Sequence, residues 1–582
     1  FIDLSMIDIS SKCLGLETKG ITMSTPKDAE EQASQKSSGA SPRIAVSPDA
    51  GLHGKAALSA MLGIMAVTIL IALDATMVSS ALPRVVGELG GFELYAWVAT
   101  ANLLTSTIMV PIFGALGDQY GRKPFLLASV VIFCLASVFT ASVQSMPMLI
   151  LGRALQGIGS GMLQATAFTS ISDIFPQPDR RARWQGLLTS TFALSSLFGP
   201  TLGGLLTQWV GWRSIFLLCL PVAVVALPLI VKTLPSDLSP RQTGRGIDWW
   251  GTGLITVAIS TLLIALSWGG KNYPWFSPVI IGLFVLFLVV LAAFVWAETK
   301  AKSPLMPLDM FKDNTLVVLN VASLLLGFMS LSISYYTPLL FQGGLGLDPQ
   351  TAALYFTPIV ISNALGSLTG SQIFARTRRM KGLLLIGGTL IVLGSSTLLL
   401  TVNINTAPGL LSIVLPMTGF GIGMIMPMIT ILVQSIVPRA RLGVATSTIQ
   451  FTRLLGSMFG TSIVGTIVTG VFSGTINRAV TADMDPRLAT AYSNPQALIN
   501  EEVSANLSQI ASELGQTAIN HIEILSNAAR QGLITGVWYS YAMMVVGGLV
   551  VLTLIIRLRV PNFRDNSAPA TQPATKPATS NK

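Results

Sequence analysis

The chain has 582 residues, of which 51% are hydrophobic and only 11% charged. Apolar runs of about twenty residues recur along most of it, the length a helix needs to cross a bilayer, which excludes a soluble enzyme and points to an all-α polytopic membrane protein. The net charge of +10 falls in short clusters between those runs rather than along one face or arm, so it reads as a topology signal and argues against nucleic acid as a partner.

Residues 1–57 are polar with no apolar signal-peptide core, so a disordered cytoplasmic tail is expected there, with Met23 an ordinary start. Fourteen apolar spans follow, near 58–83, 93–116, 124–141, 147–174, 186–208, 213–233, 248–268, 278–297, 315–341, 352–375, 382–401, 408–436, 443–472 and 533–556. They group as a six-helix bundle over 58–233, an inserted helix pair with its loops over 234–314, and a second six-helix bundle over 315–556, before a cytoplasmic tail at 557–582. Loops on one side hold clusters such as Arg122, Lys123, Arg180, Arg181 and Arg183, whereas the short loops on the other hold only Arg84, Arg213 and Lys271. That bias places both termini in the cytoplasm of a plasma-membrane protein. Cys13, Cys134 and Cys219 lie far apart without metal-ligand spacing, so neither a disulfide frame nor a metal site is expected.

In the first span Asp74 interrupts the apolar run, and in the fourth Arg153 does the same. A charge in hydrocarbon is costly, so neither is expected to face lipid. After the second span comes Gly114-Ala115-Leu116-Gly117-Asp118-Gln119-Tyr120-Gly121-Arg122-Lys123. A carboxylate at a helix end, a glycine turn and two cations can make or break a charge-assisted contact as helices move; the plainer reading is an inside-positive turn. In the fifth span Gly199-Pro200 joins close packing to a lost backbone donor.

Sliding the second half of the chain over the first exposes a parallel repeat. Gly157, Gly159, Gly161 and Met162 fall on Gly419, Gly421, Gly423 and Met424 at an offset of 262; Gly186, Ser190, Gly199 and Gly203 fall on Gly443, Ser447, Gly456 and Gly460 at an offset of 257. Gly114, Arg122 and Lys123 fall on Gly370, Arg378 and Arg379 at an offset of 256, with Phe374 replacing Asp118 and Thr377 replacing Gly121. The second copy of the loop is therefore the weaker latch. Glycines repeated in both halves suggest a shared rocking interface, against the plainer reading of close packing.

These motifs resemble those of the major facilitator superfamily, and specifically its 14-span drug:proton antiporter branch, over residues 58–560. The Gly114 to Lys123 loop, the Arg153 to Gly161 run in span 4, Gly199-Pro200-Thr201-Leu202-Gly203-Gly204 in span 5 and Leu73 to Pro83 in span 1 carry the likeness. Asn102 stands where that branch often has tyrosine, and Ser214 breaks its Trp-Arg-Trp pattern after Trp212-Arg213. The resemblance implies the major facilitator fold, two six-helix bundles plus two inserted helices, and spans 1 and 4 beside a central cavity. It also implies proton-driven export of amphipathic or cationic drugs by alternating access, from a monomer with no cofactor. The antiporter motif would be Gly199, Pro200, Gly203 and Gly204.

Elimination constrains the proton chemistry independently. His53 and His521 lie outside the spans, and Asp74 is the only carboxylate well inside one. Asp74 lies nine residues before Pro83 and Arg153 six residues into span 4, so their depths differ by about 5 Å. They are the expected proton-coupling pair; a static ion pair locking two helices is the alternative. Asn102, Gln156, Asn320 and Asn363 are candidates for hydrogen bonds to substrate, and each equally suits a helix-to-helix bond; Tyr335 and Tyr336 would suit a tolerant apolar substrate pocket, against the plainer reading of packing. Arg453 either lines the interior or reaches toward the inner surface along its own stem. The outer segment 473–532 carries an amphipathic pattern from Asn494, suited to a cap on the membrane surface or to docking a partner such as a periplasmic adaptor. A transporter of one specific metabolite is the competing function. No catalytic set and no nucleotide-binding glycine loop is present to support an enzyme.

Overall fold

A computed structural model describes residues 54–90, 94–235, 248–270, 273–301, 308–481, 484–492 and 516–561, with a few isolated positions besides. The expected N-terminal tail up to residue 51, the amphipathic helix from Asn494 and most of the C-terminal tail lie outside the described residues. Among those residues the chain is helical: α1 Gly54–Leu89, α2 Tyr95–Tyr120, α3 Arg122–Ser142, α4 Met146–Ile174, α5 Pro178–Trp209, and α6, broken at Leu218 into Arg213–Leu217 and Cys219–Thr233. There follow α7 Trp249–Trp268, α8 Pro278–Lys300, α9 Asn314–Leu339, α10 Pro349–Thr377, α11 Met380–Thr401, α12 Pro408–Ile436, α13 Leu442–Ala479 and α14 Gln516–Arg557.

Helix starts are written in the sequence. Proline opens α4, α5, α8, α10 and α12, where its missing N–H has no intrahelical partner to lose. Side-chain oxygens of Asp248, Ser277, Asp313 and Asp348 accept from first-turn amides of α7, α8, α9 and α10.

Among the described residues twelve helices, all but α4 and α5, are long and apolar enough to cross a membrane. Both exceptions have the length, 29 and 32 residues. Their composition is more polar because they bury glycine, serine and threonine against neighbouring helices instead of offering apolar side chains to lipid. In the interval 473–532, α13 continues to Ala479 and α14 begins at Gln516, so both helices run further into it than hydropathy indicates.

Packing repeats with the chain. In the first set of six, α4 lies against α2 and α3, α5 against α1, and α6 against α1 and α3; in the second, α12 lies against α10 and α11, α13 against α9, and α14 against α9 and α11. Each partner is replaced by the helix eight places on. Across the sets α2 meets α13 and α5 meets α10, and Ile108, Ile112, Leu262, Leu266, Val444 and Phe451 share one apolar cluster that ties the inserted α7 to this seam.

The glycine repeat has a different meaning from the rocking interface expected. Side chains added at Gly157 and Gly161 would strike α2, at Gly159 α3, and at Gly199 and Gly203 α1, all within the first set. Gly419, Gly423, Gly421, Gly456 and Gly460 do the same against α10, α11 and α9. They bind each set together internally. The seam glycines are Gly114, whose Cβ would overlap Ser447, Gly443, which would overlap Gly114 and Asp118, and Gly186, which would overlap Ser371.

Candidate functional site: a buried ion pair and a polar seam

Twenty residues separate Asp74 from the start of α1 at Gly54, about 30 Å along the axis. At that depth it meets Arg153 of α4, with Nη1 donating to Asp74 Oδ2 at 2.7 Å; the two residues are 8% and 2% exposed. The pair expected from sequence is therefore a direct contact. Arg153 Nη1 also donates to Gln156 Oε1 at 2.8 Å, Gln156 Nε2 to Ser137 Oγ at 2.6 Å, and Arg153 Nε to the Val98 carbonyl at 3.4 Å. Asn102 Nδ2 donates to the Arg153 carbonyl at 3.3 Å. The guanidinium is thus held by groups from α1, α2 and α4.

Gln156 and Asn102, candidates for substrate contact, are occupied by this cluster. Among the others, Asn320 accepts from Thr452 Oγ1 at 2.9 Å and Tyr336 donates to the Thr461 carbonyl at 2.8 Å, both joining α9 to α13. Asn363 is half-buried and Tyr335 is 62% exposed. In the antiporter motif Gly199 and Gly203 seat α1 on α5, while Gly204 faces open space and Pro200 lies inside α5, which runs on to Trp209.

A second polar constellation closes the seam at the end where the arginine-rich loops lie. Gly121 takes φ 89°, a left-handed turn that suits glycine, and lets α3 begin at Arg122. Arg122 Nη2 donates to Asp118 Oδ1 at 2.9 Å and Nη1 to the Thr169 carbonyl at 2.7 Å, and Arg122 also pairs with Asp173 of α4. Asp118 then reaches the other set: the backbone amides of Gly443 and Val444, at the start of α13, donate to Oδ1 and Oδ2 at 2.8 and 2.9 Å. A helix N-terminus presents unsatisfied amides and a partial positive charge, so it suits a carboxylate. Lys123 Nζ donates to the Val231 carbonyl near the end of α6 at 2.8 Å, a favourable place for a cation.

Further contacts extend the polar end. Asp173, near the end of α4, is a partner of Arg122. Gln434, at the end of α12, receives Arg181 Nη1 on its carbonyl at 3.1 Å and Gln185 Nε2 on Oε1 at 3.2 Å, so it joins α12 to α5. The gapless offset also misregistered the second loop. Lys381, not Arg379, repeats the role of Lys123, its Nζ donating to the Ile556 carbonyl at 3.0 Å, because α11 begins at Met380, two residues later than the offset of 256 requires. Phe374, replacing the acid, is buried with its ring 5.4 Å from that of Phe563.

The family model described as Major Facilitator Superfamily matches residues 64–461. Multidrug transporter protein MdtP of Bacillus subtilis (strain 168) is 30% identical over 503 residues, covering 84% of this chain and 91% of its own. Multidrug resistance protein 3 of the same bacterium is 34% identical over 422 residues, covering 72% and 81%. Among solved structures, the human organic anion transporter MFSD10 (TETRAN) superposes with a TM-score of 0.51 at 14% identity, covering 85% of this chain and 97% of that one, a likeness of fold.

Proposed function

The chain belongs to the Major Facilitator Superfamily, so it is a multi-pass membrane transporter of small molecules rather than an enzyme, and we propose that it exports amphipathic or cationic drugs and other toxic compounds against inward proton flow. The observation that carries this reading is the buried contact between Asp74 and Arg153. Relatives named as multidrug transporters support the substrate class.

In this reading all fourteen helices cross the plasma membrane, α4 and α5 included, and the arginine-rich loops face the cytoplasm with both termini. The polar seam at that end then closes the protein toward the cytoplasm, and this conformer takes its proton from outside. Protonation of Asp74 removes the negative charge that Arg153 faces; deprotonation restores it and draws a cationic or amphipathic substrate toward the same space. Because the two events compete for one carboxylate, export is coupled to proton entry. Opening of the seam, with Asp118 leaving the first turn of α13, is the alternating step.

The test is ethidium efflux from proteoliposomes under an imposed pH gradient, with Asp74→Asn beside wild type. Gradient-dependent efflux is expected from wild type and is expected to fall by at least about a hundredfold in the variant, since an amide cannot carry the proton. Retained coupling in Asp74→Asn would sink the assignment. No ethidium movement by folded wild type would shift the weight to a transporter of one metabolite.

A further inference from the structure

The second set of helices carries a cation that the Asp74 chemistry does not use. Arg453 of α13 falls on Ser196 at the offset of 257, so the repeat does not supply it. It lies eleven residues from Leu442 at the start of α13, about 16 Å from the arginine-rich end. Its Nη1 approaches Met426 Sδ of α12 at 4.0 Å. Met426 is itself ten residues from Ile436 at the end of α12, about 15 Å from the same end. The guanidinium therefore stays at the depth of its own backbone, which rules out the reading in which the stem carries the charge to the inner surface.

Arg453 is half-buried, and an arginine keeps its charge there. Among the described residues Arg453 makes no ion pair. Gln450, three residues earlier and so on the same face of α13, is fully buried, and neither its amide nitrogen nor its amide oxygen has a hydrogen-bond partner. The first set shows what such a pairing does when complete: Arg153 and Gln156, also three residues apart, hold each other, and Asp74 supplies the anion. In α13 the same two side-chain types stand three residues apart in the reverse order, glutamine first, and among the described residues no carboxylate pairs with Arg453. Met426, half-buried beside the guanidinium, offers an adaptable apolar contact.

We propose that Arg453 and Gln450 dock the carboxylate, or a comparable oxyanion, of an amphipathic substrate, so that amphipathic acids belong to the range carried by this protein. The inference rests on the transporter reading above and narrows its substrate class. A carboxylate would accept two parallel N–H bonds from the guanidinium fork and one from the Gln450 amide. The site is built on α13 of the second set, whereas Asp74 lies on α1 of the first.

The experiment is equilibrium binding, without a pH gradient, of 1-pyrenebutyrate and its neutral analogue 1-pyrenebutanol to the purified full chain in phosphatidylcholine nanodiscs. Failure of the efflux test and failure here are then independent results. Wild type is expected to bind the acid at least about tenfold more tightly than the alcohol. Arg453→Gln should lose that preference while keeping its affinity for the alcohol within about twofold, Arg453→Lys should retain part of it, and Gln450→Leu should reduce it. Equal affinity for acid and alcohol in wild type overturns the proposal, as does a preference that survives Arg453→Gln. Equal loss of both ligands in a variant that melts at the wild-type temperature assigns Arg453 a structural role and also overturns it. In a second arm the discs contain phosphatidylglycerol; competition that weakens the acid in wild type and not in Arg453→Gln would identify a lipid phosphate as the anion in place of a transported acid.

Discussion

The two most extensive crossings of the seam, α2 against α13 and α5 against α10, share related geometry and hold by different forces. Both bring backbones together over a glycine, Gly443 in one and Gly186 in the other, which are repeat partners. In the first crossing a buried carboxylate, Asp118, takes two amides of α13 while Arg122 holds it from its own side. In the second, Ser190 Oγ donates to the Ala364 carbonyl at 2.8 Å and Ser367 Oγ to the Gly186 carbonyl at 3.1 Å, and the one ion pair, Arg378 with Asp179, is loose at 3.8 Å and partly exposed. Hydrogen bonds to a charged group contribute about 1.5–3 kcal/mol each, neutral ones about 0.5–1.5. Shape is conserved by the repeat and charge is not, so the two crossings should close alike and release unlike.

The steric half of this comparison can be broken first, with the largest effect. A valine at Gly443 or at Gly186 would place atoms inside the facing helix, where a single Cβ already overlaps Asp118 or Ser371. Either Gly443→Val or Gly186→Val is expected to keep the seam from closing and to reduce efflux at least about a hundredfold, on the scale at which about 1.4 kcal/mol is tenfold. Spin labels at the arginine-rich ends of α2 and α13 should report a wider separation in both. A severe loss in one and normal transport in the other would show that the crossings are not steric equivalents.

The electrostatic half predicts a difference. Asp118→Asn keeps the size and loses the charge: its one carbonyl oxygen can accept from only one of the Gly443 and Val444 amides while the other faces an NH2 donor, and Arg122 retains Asp173 and the Thr169 carbonyl. Efflux is expected to fall about tenfold or more, with the open-seam population raised. Ser190→Ala with Ser367→Ala, which removes the neutral bonds of the other crossing, should cost about fivefold, the low end for two neutral bonds at about 0.5 kcal/mol each. If the double serine variant proves as damaging as Asp118→Asn, the asymmetry does not govern release.

How much of this could be read beforehand follows the kind of signal involved. The pairing of Asp74 with Arg153 was legible because a charge inside an apolar run stands out and helix rise fixes its depth. The loop around Asp118 was legible as a latch, but its partner was not: backbone amides at the start of α13 carry no side-chain signature, and only Gly443 falling on Gly186 in the repeat hinted that the segment approaches another backbone. The glycines of α4 and α12 were conspicuous and misleading, since spacing reveals that something packs closely without revealing which helix does so. Two extra residues before α11 defeated a gapless offset, so the lysine that matches Lys123 was assigned to the wrong position. Arg453 was visible as a charge, whereas its depth depended on the direction of a flexible stem that only packing determines.

The smallest effect sharpens the comparison by varying exposure at nearly constant chemistry. Arg441, just before α13, donates to Asp309 Oδ2 at 2.7 Å, an ion pair as short as many buried ones and adjacent to the seam, yet its side chains are 42% and 55% exposed. Water already solvates both charges, and such pairs contribute about 0–1 kcal/mol. The hydrogen bond from Arg441 holds the Asp309 carboxyl below its ordinary value, so the sign is that of a depressed acid: its contribution is complete above the ordinary value near 4 and is lost only as pH falls through the lower, folded one. Between pH 6 and 8 Asp309 therefore stays charged and contributes no pH dependence. Asp309→Asn should change efflux by less than about twofold across that range, and its small effect should shrink further at 1 M salt, where charges beyond about 3 Å are screened. A loss comparable with that of Asp118→Asn would mean that closeness of charge to α13, rather than burial on its first-turn amides, is what holds the seam.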